Sequence, residues 1–220
     1  MKVLFVGNSH TFTHDVPSIV DALFKENNKD WEYKEMTVSG ETLSFHSKRE
    51  ELLKEISNGS YDIIILQERA SRFDPELFDE GFNSLYNHII NTSKSIVLMY
   101  MIWSNESKPE VQRVIANSYL GATKKDRVYL APVGIAWDII RHNHTDIKLY
   151  MDGNHATKIG AYLAASGLFY ALTNRKEKLI VNENSEIIKK LELNYDDVKI
   201  VHDVLESVYN ETNLIKLLKY

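Results

Sequence analysis

The sequence predicts an α/β domain of three-layer α/β/α, flavodoxin-like architecture, and three features of it carry that expectation. Short apolar runs alternate with longer amphipathic segments along most of the chain. The run Ile63-Ile64-Ile65-Leu66 is apolar at consecutive positions, as suits a strand covered on both faces, not one half exposed to water. Glycine and small polar residues gather just after these runs, at Gly7-Asn8-Ser9, Ser39-Gly40-Glu41 and Asp152-Gly153-Asn154. A strand-then-helix repeat calls for right-handed crossovers, hence a parallel sheet with helices on both faces. The expected sheet has five strands in the order 2-1-3-4-5.

Each element has its own reason. Lys2–Val6 is an apolar run and the first strand. Val16–Glu26 is a helix, with Val16, Ile19, Val20, Leu23 and Phe24 on one face, Asp15 as N-cap and Pro17 in the first turn. Trp31–Val38 alternates and reads as the second strand. Ser44–Ile56 reads as one helix that stops near Asn58-Gly59. Tyr61–Leu66 is the third strand, Pro75–Ile90 a helix, Ser95–Met101 the fourth strand, Pro109–Ala122 a helix and Arg127–Ala131 the fifth strand. Pro132–His142 and His155–Leu172 are two further helices. After Thr173 the pattern becomes charged and amphipathic, with helices expected at Ser185–Leu193, Asp196–Tyr209 and near Asn213–Leu218. Residues 1–173 are therefore expected to form the main domain. Residues 174–220 would be a helical extension packed on it or on a second copy of the chain, giving a homo-oligomer.

Composition narrows the chemistry. The chain has 220 residues, 44% of them hydrophobic and 26% charged, and a net charge of −5, which gives no general attraction to nucleic acid or to an anionic membrane. With no cysteine, disulfides, thiolate metal sites and cysteine nucleophiles are all excluded. The apolar run after Lys2 is too short for a signal-peptide core, and no stretch reaches transmembrane length, so a cytoplasmic protein is expected. His10 and His14 have the spacing of a metal-binding pair, but no zincin-type Glu follows His10, so no metal is expected and His10 is placed at the border of the site. No glycine-rich phosphate signature occurs, and no cofactor is implied. Trp103 and Trp137 are read as core residues, with a sugar-binding cleft as the alternative.

In an open parallel sheet, ligands bind beyond the carboxyl ends of the strands. The residues just after the apolar runs are therefore the ones to inspect. A serine hydroxyl needs a base to take its proton, a histidine suits that task near neutral pH, and a carboxylate can hold the imidazole in its working tautomer. A tetrahedral intermediate further needs donors aimed at its oxyanion. Ser9, His155 and Asp152 supply the first set; the backbone N–H groups of Ser9 and Gly40 and the amide of Gln67 supply the second.

These residues resemble the SGNH, or GDSL-like, hydrolase family. Gly7-Asn8-Ser9 is similar to its first block, Gly40 to its second-block glycine, and Asp152-Gly153-Asn154-His155 to its closing Asp-x-x-His block. Ala131-Pro132-Val133-Gly134, leading to Trp137, resembles the approach to that block. The resemblance covers roughly the first 170 residues. It implies Ser9 as nucleophile, Asp152 and His155 as its partners, and Gly40 in an oxyanion hole. Two departures stand out. Asn8 occupies a position that is Asp in many members. The third block, often Gly-x-Asn-Asp with the asparagine amide in the oxyanion hole, is replaced by Leu66-Gln67-Glu68-Arg69-Ala70-Ser71, a divergent Gln-Glu form. Gln67 is the natural substitute donor, with Glu68 or Ser71 lining the site as alternatives. The implied activity is hydrolysis of a small-molecule carboxylic ester. With no long apolar lid, the expected ester carries a short acyl or acetyl group on a polar alcohol such as a carbohydrate. A non-catalytic ligand-binding protein on the same fold and an acyltransferase are the alternatives.

Overall fold

The computed structural model describes residues 1–173 and 182–218. Five parallel strands, β1 (Lys2–Gly7), β2 (Glu32–Thr37), β3 (Ile63–Leu66), β4 (Ile96–Tyr100) and β5 (Val128–Ala131), form one sheet in the order β2-β1-β3-β4-β5. The order reverses at β1, which pairs with β2 on one side (Gly7 opposite Thr37) and β3 on the other (Val6 opposite Leu66). All four residues of β3 are buried, as the unbroken apolar run requires. Strand β2 alternates and lies at the edge.

Helices cover both faces. On one, α2 (Val16–Glu26) packs against α8 (Lys158–Leu172). On the other, α3 (Leu43–His46), α4 (Glu50–Asn58) and α6 (Val111–Ala122) pack against α5 (Pro75–Thr92). A four-residue helix, α1 (Ser9–Phe12), follows β1 directly, and α7 (Val133–Asn143) follows β5. Toward the C-terminus, α9 (Glu186–Leu191) packs on α2, and α10 (Tyr195–Asn210) packs on α7 and α8. Val198, Val201, Leu205 and Val208 of α10 are fully buried and continuous with the core around the sheet. Glu26 of α2 reaches the start of α9, accepting from Ser185 Oγ at 2.6 Å and Ile187 N at 2.9 Å. The expected start of the extension, after Thr173, falls on residues outside those described. The last expected helix is a 3-10 turn at Leu214–Leu217. No helix among the described residues is long and apolar enough to cross a membrane.

Two boundaries differ from the sequence expectation. The helix expected over Ser44–Ile56 is two helices, because Arg49 leaves helical geometry (φ −84°, ψ 106°) and the chain turns between them. His155 does not open a helix: α8 begins at Lys158, where Thr157 caps it by accepting from Gly160 N through its hydroxyl at 3.3 Å. His155 therefore stands in the loop before the cap.

The last residue of α3, just before the break, is a buried histidine, His46. Its buried ring turns inward, with Nε2 2.9 Å from the Gly7 carbonyl and Nδ1 3.1 Å from Arg49 Nη1. A carbonyl only accepts and a guanidinium only donates, so the ring is neutral with its hydrogen on Nε2. Burial, reinforced by Arg49, pushes the imidazole from its ordinary 6.5 down to about 4. The folded state thus binds fewer protons than the unfolded state between those values, and stability falls as pH drops through that window. His46 should contribute a loss on the order of 2 kcal/mol between pH 7 and pH 5. Urea titrations at the two pH values check this: the wild-type loss should exceed that of His46→Gln by about that amount, whatever the variant's stability at pH 7.

Candidate active site

The carboxyl end of β1 is where the strand order reverses, so the loops after β1, β2 and β3 meet there. Asn8 caps α1 by accepting from His10 N at 3.1 Å, and this places Ser9 as the first residue of that helix, not in an open turn. Facing it is the loop from Tyr150 to Ala156, pinched at its base by a bridge between those two residues and by a hydrogen bond from Met151 N to the His155 carbonyl at 2.9 Å.

Within that loop Asp152 has two tasks. Its Oδ1 accepts from the backbone N–H of Asn154 at 3.0 Å and of His155 at 2.7 Å, which closes the tight turn. Its Oδ2 lies 2.8 Å from His155 Nδ1, while His155 Nε2 lies 2.9 Å from Ser9 Oγ. A carboxylate can only accept, so Nδ1 carries the ring hydrogen and Nε2 is left to accept from the Ser9 hydroxyl. The His155 side-chain and backbone N–H bonds hold the Asp152 carboxyl down at about 2, so it is ionised throughout the neutral range.

Behind His155 stands a column of rings. Trp137 and Trp103 stack at 3.8 Å and an interplanar angle of 5°, His10 lies 5.0 Å from Trp103, and His155 lies 5.6 Å from His10. Trp103 Nε1 also donates to the Asn154 carbonyl at 2.9 Å. Both tryptophans are buried, so they brace the loop from inside and form no open platform. His10 is buried too, and burial followed by the neighbouring His155 pushes its imidazole down to about 3. It is therefore a neutral ring packed beside His155. His14, four residues on, has positive φ (58°) beyond the end of α1. Among the described residues no group of three His, Asp or Glu side chains could hold a metal ion.

Gly40 lies in the loop after β2. A hydrogen bond from Glu41 N to Val38 O at 3.3 Å closes a tight turn there, and Gly40 has φ +71°. That backbone favours glycine, and a Cβ would meet nothing within 4 Å, so the constraint is the dihedral, not lack of space. The Asn8 side chain ties this loop to β1 by donating to the Glu41 carbonyl at 2.9 Å.

No family model matches the chain, and no curated protein matches it in sequence. Solved structures do match its fold. TesA aligns over 79% of this chain and 99% of its own length with a TM-score of 0.61 at 12% identity. The psychrotrophic esterase EstA from Pseudoalteromonas sp. aligns over 79% and 97% with a TM-score of 0.61 at 13% identity. A member of the lipolytic protein G-D-S-L family from Veillonella parvula aligns over 79% and 98% with a TM-score of 0.56 at 14% identity. The fold is that of the SGNH hydrolases.

Measured against the SGNH pattern, Ser9, Asp152 and His155 are brought together, and Gly40 lies on the loop that Asn8 ties to the end of β1. Gln67 is placed differently from its expected role as an oxyanion donor. It has no exposed surface, and its Nε2 hydrogens go to Asn8 Oδ1 at 3.0 Å and to the Glu68 carbonyl. Its Oε1 accepts from Asn8 N and Thr11 Oγ1, each at 2.9 Å. With both amide hydrogens engaged, Gln67 is a brace, not a free donor. It also explains Gly7, where a Cβ would collide with Gln67 Oε1. Glu68 is likewise engaged, accepting from Leu43 N at 2.9 Å and Arg69 N at 2.7 Å. Removing the amide leaves several buried groups unpaired, so Gln67→Ala should lose about 2–4 kcal/mol of stability. Chemical denaturation checks this; a loss under about 0.5 kcal/mol would show that Gln67 is not the brace described.

Proposed function

We propose that this chain is a serine hydrolase that cleaves carboxylic esters through an acyl-enzyme. The observation that carries the proposal is the hydrogen-bonded line from Ser9 Oγ through His155 to Asp152, at 2.9 and 2.8 Å. Both distances are within the reach that proton transfer requires.

In the first half-reaction Ser9 Oγ bonds to the ester carbonyl carbon as its proton passes to His155 Nε2. The carbonyl π pair moves to oxygen, where the Ser9 and Gly40 backbone N–H groups receive it. Asp152 stabilises the imidazolium that forms, and its low pKa keeps it charged while it does so. Collapse of the intermediate breaks the bond to the alcohol oxygen, and His155 returns the proton to that oxygen. Water repeats the cycle on the acyl-enzyme and frees the acid. No step requires a metal or organic cofactor.

The substrate proposed is a short acyl or acetyl ester of a polar alcohol, such as a carbohydrate. The polar character of the segments around Ser9, with Ser39, Glu41, Arg69 and Asn154, supports that choice over a long lipid chain. Phe12, one turn after Ser9, and Met151, beside Asp152, expose apolar area suited to a small acyl group.

A fluorophosphonate probe should label the wild type and not Ser9→Ala, and the same substitution should lower p-nitrophenyl acetate turnover by at least about 10³-fold. Across p-nitrophenyl esters of increasing chain length, kcat/KM should fall beyond the shortest acyl groups. Unlabelled, inactive wild type would contradict the hydrolase assignment; equal or better turnover of long chains would contradict only the substrate class.

A further inference from the structure

With the Gln67 amide engaged elsewhere, the site lacks a side-chain donor beside Gly40. Arg69 occupies that place. Its Nη1 donates to the Gly40 carbonyl at 3.2 Å, and this is its only side-chain hydrogen bond among the described residues. The position follows from topology. Arg69 lies beyond β3 and Gly40 beyond β2, and β1 runs between those strands. Neighbouring strands are about 4.8 Å apart, so a contact joining the two outer loops spans roughly 10 Å across the end of β1, where Asn8 and Ser9 stand.

The charge on Arg69 is met only at longer range, by the buried Glu68 carboxylate. Among the described residues no carboxylate lies within ion-pair distance of its guanidinium: Glu68 spends its carboxylate on the backbone N–H groups of Leu43 and Arg69. The Nε atom is shut off from solvent and has no hydrogen-bond partner. A half-buried cation with unused donors, tied to the loop after β2 across the end of β1, is suited to receive negative charge.

We propose that Arg69 is a catalytic residue, the side-chain donor that takes up the charge developing on the substrate carbonyl oxygen when Ser9 attacks. The proposal rests on the serine-hydrolase assignment and adds to it the identity of the third oxyanion donor. As the C–O π pair moves to oxygen, a guanidinium N–H beside Gly40 shares it with the two backbone N–H groups. The guanidinium acts only as a hydrogen-bond donor and transfers no proton in the step. A contact made chiefly in the transition state acts on kcat, not on KM.

The experiment is steady-state hydrolysis of neutral p-nitrophenyl acetate by the wild type, Arg69→Gln, Arg69→Lys and Arg69→Ala, with unfolding curves for each. Arg69→Gln and Arg69→Ala should lose about 10²–10³-fold in kcat with KM changed less than about threefold. Arg69→Lys should lose less, and millimolar guanidinium should restore at least about tenfold to Arg69→Ala, which a purely structural defect would not allow. If the glutamine and alanine variants fold and keep kcat within threefold, or if the loss falls on KM alone, the role given to Arg69 is overturned while Ser9 keeps its own. If the alanine variant fails to fold, the lysine and glutamine variants decide by the same kcat criterion. A wild type that neither cleaves the ester nor takes up a fluorophosphonate overturns both assignments together.

Discussion

Two buried side-chain amides, those of Asn8 and Gln67, lock the carboxyl ends of the central strands together, and the Ser9 and Gly40 side of the candidate site is placed by that lock. Gln67 accepts from Asn8 N and donates to Asn8 Oδ1, so the end of β3 grips the end of β1 through two hydrogen bonds. The Asn8 amide then donates to Glu41 O and draws in the loop after β2. Polar groups so deeply buried are tolerable only when each is paired, and the same condition admits little movement of the three segments relative to one another. Gly7 and the α1 cap follow from it, since the first leaves room for Gln67 and the second uses the remaining capacity of Asn8 Oδ1.

The opposite wall of the site is held by different means. Asp152 and His155 lie on a loop that is partly open to water, with the Asp152 side chain 49% exposed, so packing of the carboxylate itself contributes little to fixing it. Fixation comes from below, through the Trp137, Trp103 and His10 rings, and from within, through the turn that Asp152 closes on its own loop. A neutral His10 matters to this arrangement. A second positive charge next to His155 would oppose the imidazolium that the proposed mechanism forms, and burial keeps that charge away. The aromatic column thus supplies rigidity without adding an electrostatic cost.

Much of this was legible in the sequence, because the signals were local. The apolar run of β3, the amphipathic face of α2 and the Asp-x-x-His spacing each depend on neighbours a few residues away, and β-strand and helix periods make those visible. What escaped depended on distant partners. Nothing near Ser44–Ile56 marks a break, and the contact made beside it joins His46 to the Gly7 carbonyl of β1, 39 positions earlier. Residue type identified Gln67 as a donor, but its direction depends on Asn8, 59 positions earlier. Arg69, a charged residue in a loop, reads as solvated surface until its buried, unpartnered Nε is seen.

The central claim is that Ser9 forms a covalent bond to the acyl group, and mass spectrometry of the enzyme quenched during p-nitrophenyl acetate turnover tests it most directly. The account predicts an acetyl adduct at Ser9 on the tryptic peptide Val3–Lys25, which disappears as substrate is exhausted. Turnover that proceeds unchanged in Ser9→Ala, or an adduct confined to another residue, would contradict it.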